Sequence, residues 1–302
     1  MSDITERIID LKQEKNAVIL AHYYQCPEIQ QIADFVGDSY YLSKRAQEVS
    51  QELIVFCGVR FMAESAKILS PHKKVLLPAA DAGCPMADMA DANRVNDLKK
   101  QHPDAVAVCY INSSVEVKAL CDVCVTSSNA LDIIRKLPER KIIFIPDQNL
   151  SSYIASKCPE KEFVIYPGYC IVHNRIMPEH ITNLKNDHPN APVAAHPECR
   201  KEVLALADYI GSTEGILRFV KSSPSSELII VTEEGIRYVL EKQNPDKRFY
   251  FPEPSMICAN MKKTSIENVL WALEDESNQI SIDEDIRRLS LKCLQEMHRL
   301  GN

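Results

Sequence analysis

The chain repeats one pattern three times, and that repetition limits its fold more than any single motif. The segments 17-AVILAHYYQ-25, 105-AVAVCYINS-113 and 191-APVAAHPEC-199 are apolar runs ending in polar, ionisable residues. Each leads to a turn and a helix-like stretch: 36-VGDSYYLSKRAQ-47, 125-VTSSNALDIIRK-136 and 210-IGSTEGILRFVK-221. Second apolar runs follow at 53-LIVFCG-58, 141-KIIFIP-146 and 228-LIIVTE-233, and third ones lead into a cysteine at 75-VLLPAADAGC-84, 163-FVIYPGYC-170 and 250-YFPEPSMIC-258. Polar helix-like segments 3-DITERIIDLKQEK-15, 92-ANRVNDLKKQHP-103 and 178-PEHITNLKNDHP-189 open the three units. Four elements matching in order, three times, mark internal repeats.

Short apolar strands alternating with helices at this spacing predict parallel α/β sheets. The expected fold class is α/β: three Rossmann-like αβα domains, at 1–87, 88–174 and 175–302, the last carrying an extra C-terminal helix 282-IDEDIRRLSLKCLQEMHRL-300. Ligands of such sheets bind beyond the carboxyl ends of the strands. A pseudo-threefold axis would bring all three strand ends to one central active site.

Composition removes other possibilities. The net charge of −7 argues against a nucleic-acid surface, which needs clustered Lys and Arg. The longest apolar runs are only a few residues, as at Leu228-Ile229-Ile230-Val231, so no membrane-spanning helix is expected. The start MSDITERIIDLKQEK lacks the apolar centre of a signal peptide, which makes the cytoplasm the expected compartment. No GxGxxG or GxxxxGK[ST] phosphate loop occurs.

The 11 cysteines are too many, and odd in number, for a secreted disulfide framework. Three of them, Cys84, Cys170 and Cys258, follow equivalent strands and lie 86 and 88 residues apart. Alone, Cys84 in the stretch DAGCPM reads as a small packing residue. Its two counterparts convert it into one of three thiolates able to meet on the axis. Convergent thiolates select zinc or an iron–sulfur cluster, and the absence of a fourth ligand in the repeat favours a cluster with one open iron. Cys121-Asp122-Val123-Cys124 forms a CxxC, but the sequence places it on an outer helix with no partner pair. Cys57, Cys109 and Cys158 read as packing, and Cys26, Cys199 and Cys293 lack repeat equivalents.

Alignment of the first strands makes His22, Tyr110 and His196 equivalent, with Tyr24, Asn112 and Glu198 two residues on. Strand alternation sends i and i+2 to one face, so each pair points into the same space. The following helices open with Asp38-Ser39, Thr126-Ser127-Ser128 and Ser212-Thr213, residues that serve as helix caps and as an anion-binding rim.

With these residues assembled, the chain resembles the quinolinate synthase family. The matching motifs are AHYYQ (21–25), GDS (37–39), YINSS (110–114), TSSNA (126–130), GYCIVH (168–173), AHPEC (195–199), GSTEG (211–215) and CANMKKT (258–264). The resemblance implies condensation of iminoaspartate with dihydroxyacetone phosphate to quinolinate, on the de novo route to NAD. It implies a [4Fe–4S] cluster on Cys84, Cys170 and Cys258, and an aspartate oxidase or dehydrogenase as functional partner. Some members carry CxxCxxC near the third cysteine; here Cys258 stands alone, as in the shorter form.

By the same resemblance His22, Tyr24, Tyr110, Asn112, His173, His196 and Glu198 line the site. Tyr24 and His22 are expected to move protons during condensation, and Glu198 to act in dehydration. His196, Ser212 and Thr213 would hold carboxylate, with Ser39 and Ser127 on other anionic oxygens. Two rival readings are another hydro-lyase with an open cluster iron, and a non-enzymatic ligand sensor built on a cluster or zinc.

Overall fold

The computed structural model describes residues 3–301 and contains three four-stranded sheets, every pair parallel. The first holds β1 (Ala17–His22), β2 (Phe35–Gly37), β3 (Leu53–Cys57) and β4 (Lys74–Leu76). The second holds β5 (Val106–Tyr110), β6 (Val123–Val125), β7 (Lys141–Ile145) and β8 (Glu162–Ile165). The third holds β9 (Val193–Ala195), β10 (Tyr209–Ile210), β11 (Glu227–Val231) and β12 (Arg248–Tyr250). The strand orders are identical: β2-β1-β3-β4, β6-β5-β7-β8 and β10-β9-β11-β12. Helices on both faces bury β1, β3 and β5 at every position, which is why these runs are continuously apolar instead of alternating.

The repeat contains one more strand per unit than the sequence pattern shows. The edge strands β2, β6 and β10 are only two or three residues long, too short for a periodic signal, and each follows a short helix, Pro27–Ile32, Val115–Leu120 or Lys201–Leu204. An aspartate fixes each edge strand. Asp34, Asp122 and Asp208 each accept, at 2.8 Å, the backbone N–H of a residue 15 positions back, Ile19, Ala107 or Val193. Their own N–H groups donate to the carbonyls of the same three residues. The CxxC also differs from expectation: Cys121 caps the helix Val115–Leu120 and Cys124 lies inside β6, because the helix stops one residue before the first cysteine.

After the third sheet the chain returns to the first two. The helix Ile266–Asp275 buries Val269, Ala272 and Leu273 in one apolar cluster with Ile8, Leu11 and Ile19. The last helix, Glu284–Leu300, is capped by the Asp283 carboxylate, which accepts the Asp285 and Ile286 N–H groups at 3.0 and 3.2 Å. It buries Cys293, Leu294 and Met297 against β6 and the helices Arg60–Leu69 and Val115–Leu120, across the seam between the first and second units. Among the described residues no helix is long and apolar enough to cross a membrane.

The aspartate clasps predict a local stability effect. Asp208→Ala should destabilise the fold by about 1.5–3 kcal/mol, the value of a hydrogen bond to a charged acceptor. Asp208→Asn, which keeps an accepting oxygen, should lose less. Denaturant unfolding of the two variants measures the difference, and an Ala variant as stable as the parent would remove the clasp from the account.

Candidate active site

Strand register confirms which residues are equivalent. Ala21 pairs with Cys57, Cys109 with Ile145 and Ala195 with Val231, so His22, Tyr110 and His196 occupy the next position of their strand paths. All three project from carboxyl ends into one cavity of about 260 Å³. Tyr24, Asn112 and Glu198 line the same cavity, with Ser39, Ser127, His173, Thr213, Cys84, Cys170 and Cys258. Ser212 does not line it; its Oγ is turned back to accept the Gly215 N–H at 3.1 Å as a helix cap. The hydroxyl-cap pattern holds only there. In the first unit the Asp38 carboxylate caps the helix, accepting the Tyr41 N–H at 2.9 Å. In the second, Thr126–Ser128 form a turn and the helix starts later, at Ala130. Ser39 and Thr213, each the first residue of a ten-residue helix, therefore bring two positive helix ends to the cavity wall.

The three cysteines share a local geometry. Each precedes one helical turn, its carbonyl accepting the N–H four residues on: Asp88 at 3.1 Å for Cys84, Asn174 at 2.9 Å for Cys170 and Lys262 at 3.2 Å for Cys258. Each sulfur consequently faces amide N–H groups, of Met86 and Ala87, of His173, and of Asn260 and Met261. Two buried carboxylates fix the backbone from behind. Asp147 accepts the Cys170 N–H at 2.9 Å while capping its own helix through Leu150 at 2.7 Å. Glu233 accepts the Cys258 N–H at 3.0 Å and pairs with Lys262 at 2.9 Å.

Burial pushes all three thiols up, Cys84 to about 12, so a cationic centre is needed to make them thiolates. Three half-buried sulfurs on one cavity wall, facing N–H donors, fit a soft metal centre. Cys170, His173 and Glu198 further bring donor atoms within 4.8 Å of one another.

A chain of hydrogen bonds runs through the cavity wall. The Tyr24 hydroxyl lies 2.7 Å from Thr213 Oγ1 and 2.9 Å from Thr232 Oγ1. Thr232 Oγ1 is 3.0 Å from His173 Nε2, and His173 Nδ1 is 2.9 Å from Glu198 Oε2 and 3.3 Å from Cys170 Sγ. Tyr110 donates to Glu198 Oε1 at 2.5 Å. Burial opposes ionisation of Glu198, but the His196 and His173 rings and the hydrogen bonds from His173 and Tyr110 outweigh it and hold the carboxyl at about 2. Burial drives both phenols, Tyr24 and Tyr110, well above the ordinary tyrosine value, so both remain O–H donors.

The two strand-end histidines repeat one arrangement. His22 Nδ1 accepts the Tyr24 N–H at 3.1 Å and His196 Nδ1 accepts the Glu198 N–H at 3.3 Å. With Nδ1 occupied as acceptor, the neutral ring carries its proton on Nε2, and His196 Nε2 lies 3.2 Å from Ser127 Oγ. Burial lowers both rings to about 3, so each is a neutral N–H donor at pH 7.

A family model described as quinolinate synthetase A protein matches residues 6–299. The chain belongs to the quinolinate synthetase A family. It is 54% identical over 299 residues to the quinolinate synthase of Clostridium perfringens (strain ATCC 13124), covering 99% of both chains. It is 52% identical to that of Clostridioides difficile (strain 630) and 54% identical to that of Caldicellulosiruptor bescii, covering 99% of this chain and 98% of each relative. Sequence reading of this quinolinate synthetase A chain missed Thr232, Asp147 and Glu233. Asp147 and Glu233 each stand two residues past the end of the third strand of their unit, β7 or β11, a signal obscured because the first unit has Val59 two residues past β3.

The lowered histidines set a pH dependence. His22 and His196 protonate at about pH 3 in the folded chain, and burial lowers His298 to about 4, whereas an unfolded histidine protonates near pH 6.5. The unfolded chain thus binds more protons as pH falls, and stability drops by about 1.4 kcal/mol per pH unit for each such group. The thermal midpoint should fall steadily from pH 7 to pH 4.5. Burial raises the Asp147, Glu233 and Glu64 carboxyls and opposes this slope, and His298→Gln, remote from the cavity, should lessen it. A slope unchanged in His298→Gln would contradict the buried neutral ring of His298.

Proposed function

We propose that this chain condenses iminoaspartate with dihydroxyacetone phosphate to quinolinate, releasing phosphate and two waters in de novo NAD biosynthesis. The observation that carries the reading is a single cavity joining three repeat-equivalent cysteines to the Tyr24–Thr232–His173–Glu198–Tyr110 hydrogen-bond chain. Cys84, Cys170 and Cys258 would hold a [4Fe–4S] cluster. When bound, the cluster supplies an iron without a protein thiolate, a Lewis acid toward a departing hydroxyl.

The chain's own residues account for binding and proton movement. The substrates bring one phosphate and two carboxylates to a protein of net charge −7, so binding depends on local donors. The helix ends at Ser39 and Thr213 supply them without ionised side chains. Ser127 and Asn112 add a hydroxyl and an amide, and His22 and His196 add Nε2–H donors. Tyr24 and Tyr110, held neutral, donate O–H to oxygens that gain charge. Glu198, held ionised, is the base that takes a proton from carbon during dehydration.

The domain limits 1–87, 88–174 and 175–302 and a cytoplasmic location belong to the same proposal. So does supply of the hydrolysable imine by an aspartate oxidase or dehydrogenase.

Anaerobically purified protein should form quinolinate from the two substrates. Cys84→Ala should lose both the iron and the activity. Glu198→Gln should keep the visible spectrum of the cluster and lose about 10²–10⁴-fold in kcat, the range of a general base. Full activity in an iron-free Cys84→Ala protein would refute the cluster, and zinc without sulfide in the parent would support a sensor in place of the enzyme.

A further inference from the structure

Four cysteines that the cavity does not use meet elsewhere. Cys109 and Cys124 sit opposite each other on β5 and β6. Cys121 ends the adjoining helix, its N–H donating to the Lys118 carbonyl at 3.2 Å. Cys293 arrives from the last helix, with its Sγ 3.2 Å from the Ser290 carbonyl. The Cys109 thiol lies near the thiols of the other three, and Cys124 also lies near Cys293. Three of the four side chains are fully buried and Cys121 is 6% exposed. The pair that the CxxC lacks in sequence is therefore supplied in space, by a neighbouring strand and by the C-terminal helix.

We propose that Cys109, Cys121, Cys124 and Cys293 form a second site, for a thiophilic divalent cation of the zinc type, which fastens the last helix to the second sheet. Four sulfurs, including a C-x₂-C pair, make the donor set of a closed structural zinc site. Binding is a proton exchange with no redox step: one M²⁺ replaces four thiol protons and leaves a complex of charge −2.

The surroundings supply countercharge. Lys118 is fully buried, donates to the Ser113 carbonyl at 2.6 Å and stands 5.5 Å from the Phe61 ring centre. Among the described residues no carboxylate forms an ion pair with it, and its charge bears on the Cys109 and Cys124 sulfurs. A second ammonium, Lys99, donates to the Leu120 carbonyl at 2.5 Å and stands 3.9 Å from the Asp122 carboxylate, and its charge also bears on Cys121. With four neutral thiols the Lys118 ammonium has the Ser113 carbonyl, the Phe61 ring and the charge of Glu64 as its compensation, and a thiolate complex adds to these.

The sulfurs are neighbours, but no three of them lie within 4.8 Å of one another. Zinc–sulfur bonds of about 2.3 Å require closer spacing, so binding would draw the set together. Strand pairing fixes Cys109 and Cys124, leaving Cys121, at a helix end, and Cys293, on a surface helix, as the ligands that move.

The test is elemental analysis of reduced, anaerobically purified holoenzyme after incubation with zinc and removal of the free ion. The parent should retain about one zinc per chain beyond its iron. Cys258→Ala should lose iron and keep the zinc, which separates this site from the proposed cluster. Cys293→Ser should lose the zinc and keep the iron, and Cys121→Ser, at the edge of the set, provides the same test if the first variant folds poorly. Zinc should raise the thermal midpoint of the parent and of Cys258→Ala but not of Cys293→Ser. Cadmium in place of zinc should give a thiolate charge-transfer band that Cys293→Ser lacks. Trace zinc in the parent, equal zinc in the parent and both serine variants, or a disulfide among these four cysteines would overturn the proposal.

Discussion

A buried carboxylate ties the three units to one centre. Glu198 comes from the third unit, receives a hydrogen bond from Tyr110 of the second, and meets His173 on the segment that connects them. An ionised carboxylate at 4% exposure is costly unless its lone pairs are occupied, and these partners occupy both oxygens. The partners are therefore held as firmly as the carboxylate. Through His173 the restraint reaches Thr232 and Tyr24, so groups from all three units stand at fixed separations before any substrate arrives.

A protein with an acidic surface has to bind anions by dipoles placed where it needs them. Here the dipoles come from the fold: parallel strands deliver the chain to helix starts at the same end of every sheet. The cysteine turns use the same resource on a smaller scale, presenting backbone N–H groups to each sulfur. The flanking ammonium of Lys262 is already paired with Glu233 and bound to the Tyr24 carbonyl, so its role there is to hold backbone in place.

The sequence alone was enough to read the architecture because a parallel sheet covered on both faces writes its strands as unbroken apolar runs, and three copies reinforce one another. Strand ends gave the site for the same reason: register is conserved between units, so His22, Tyr110 and His196 could be matched without coordinates. Edge strands β2, β6 and β10 were illegible because two or three residues carry no period. Thr232 was missed because its part is set by a neighbour 59 residues away in sequence, His173. The meeting of Cys293 with Cys109 was hidden similarly, since it depends on where a helix after the last repeat comes to rest. Ser212 shows the opposite error, where a correct motif pointed at a cavity that the side chain turns away from.

The position of the last helix also sets the order in which the molecule can be completed. It is translated after the whole third unit, yet it packs across the seam between the first two. Until the helix is made, the apolar ground for Leu294 and Met297 on the early units stays uncovered. That apolar ground is covered only when the helix Glu284–Leu300 arrives, after an entire further unit has been synthesised.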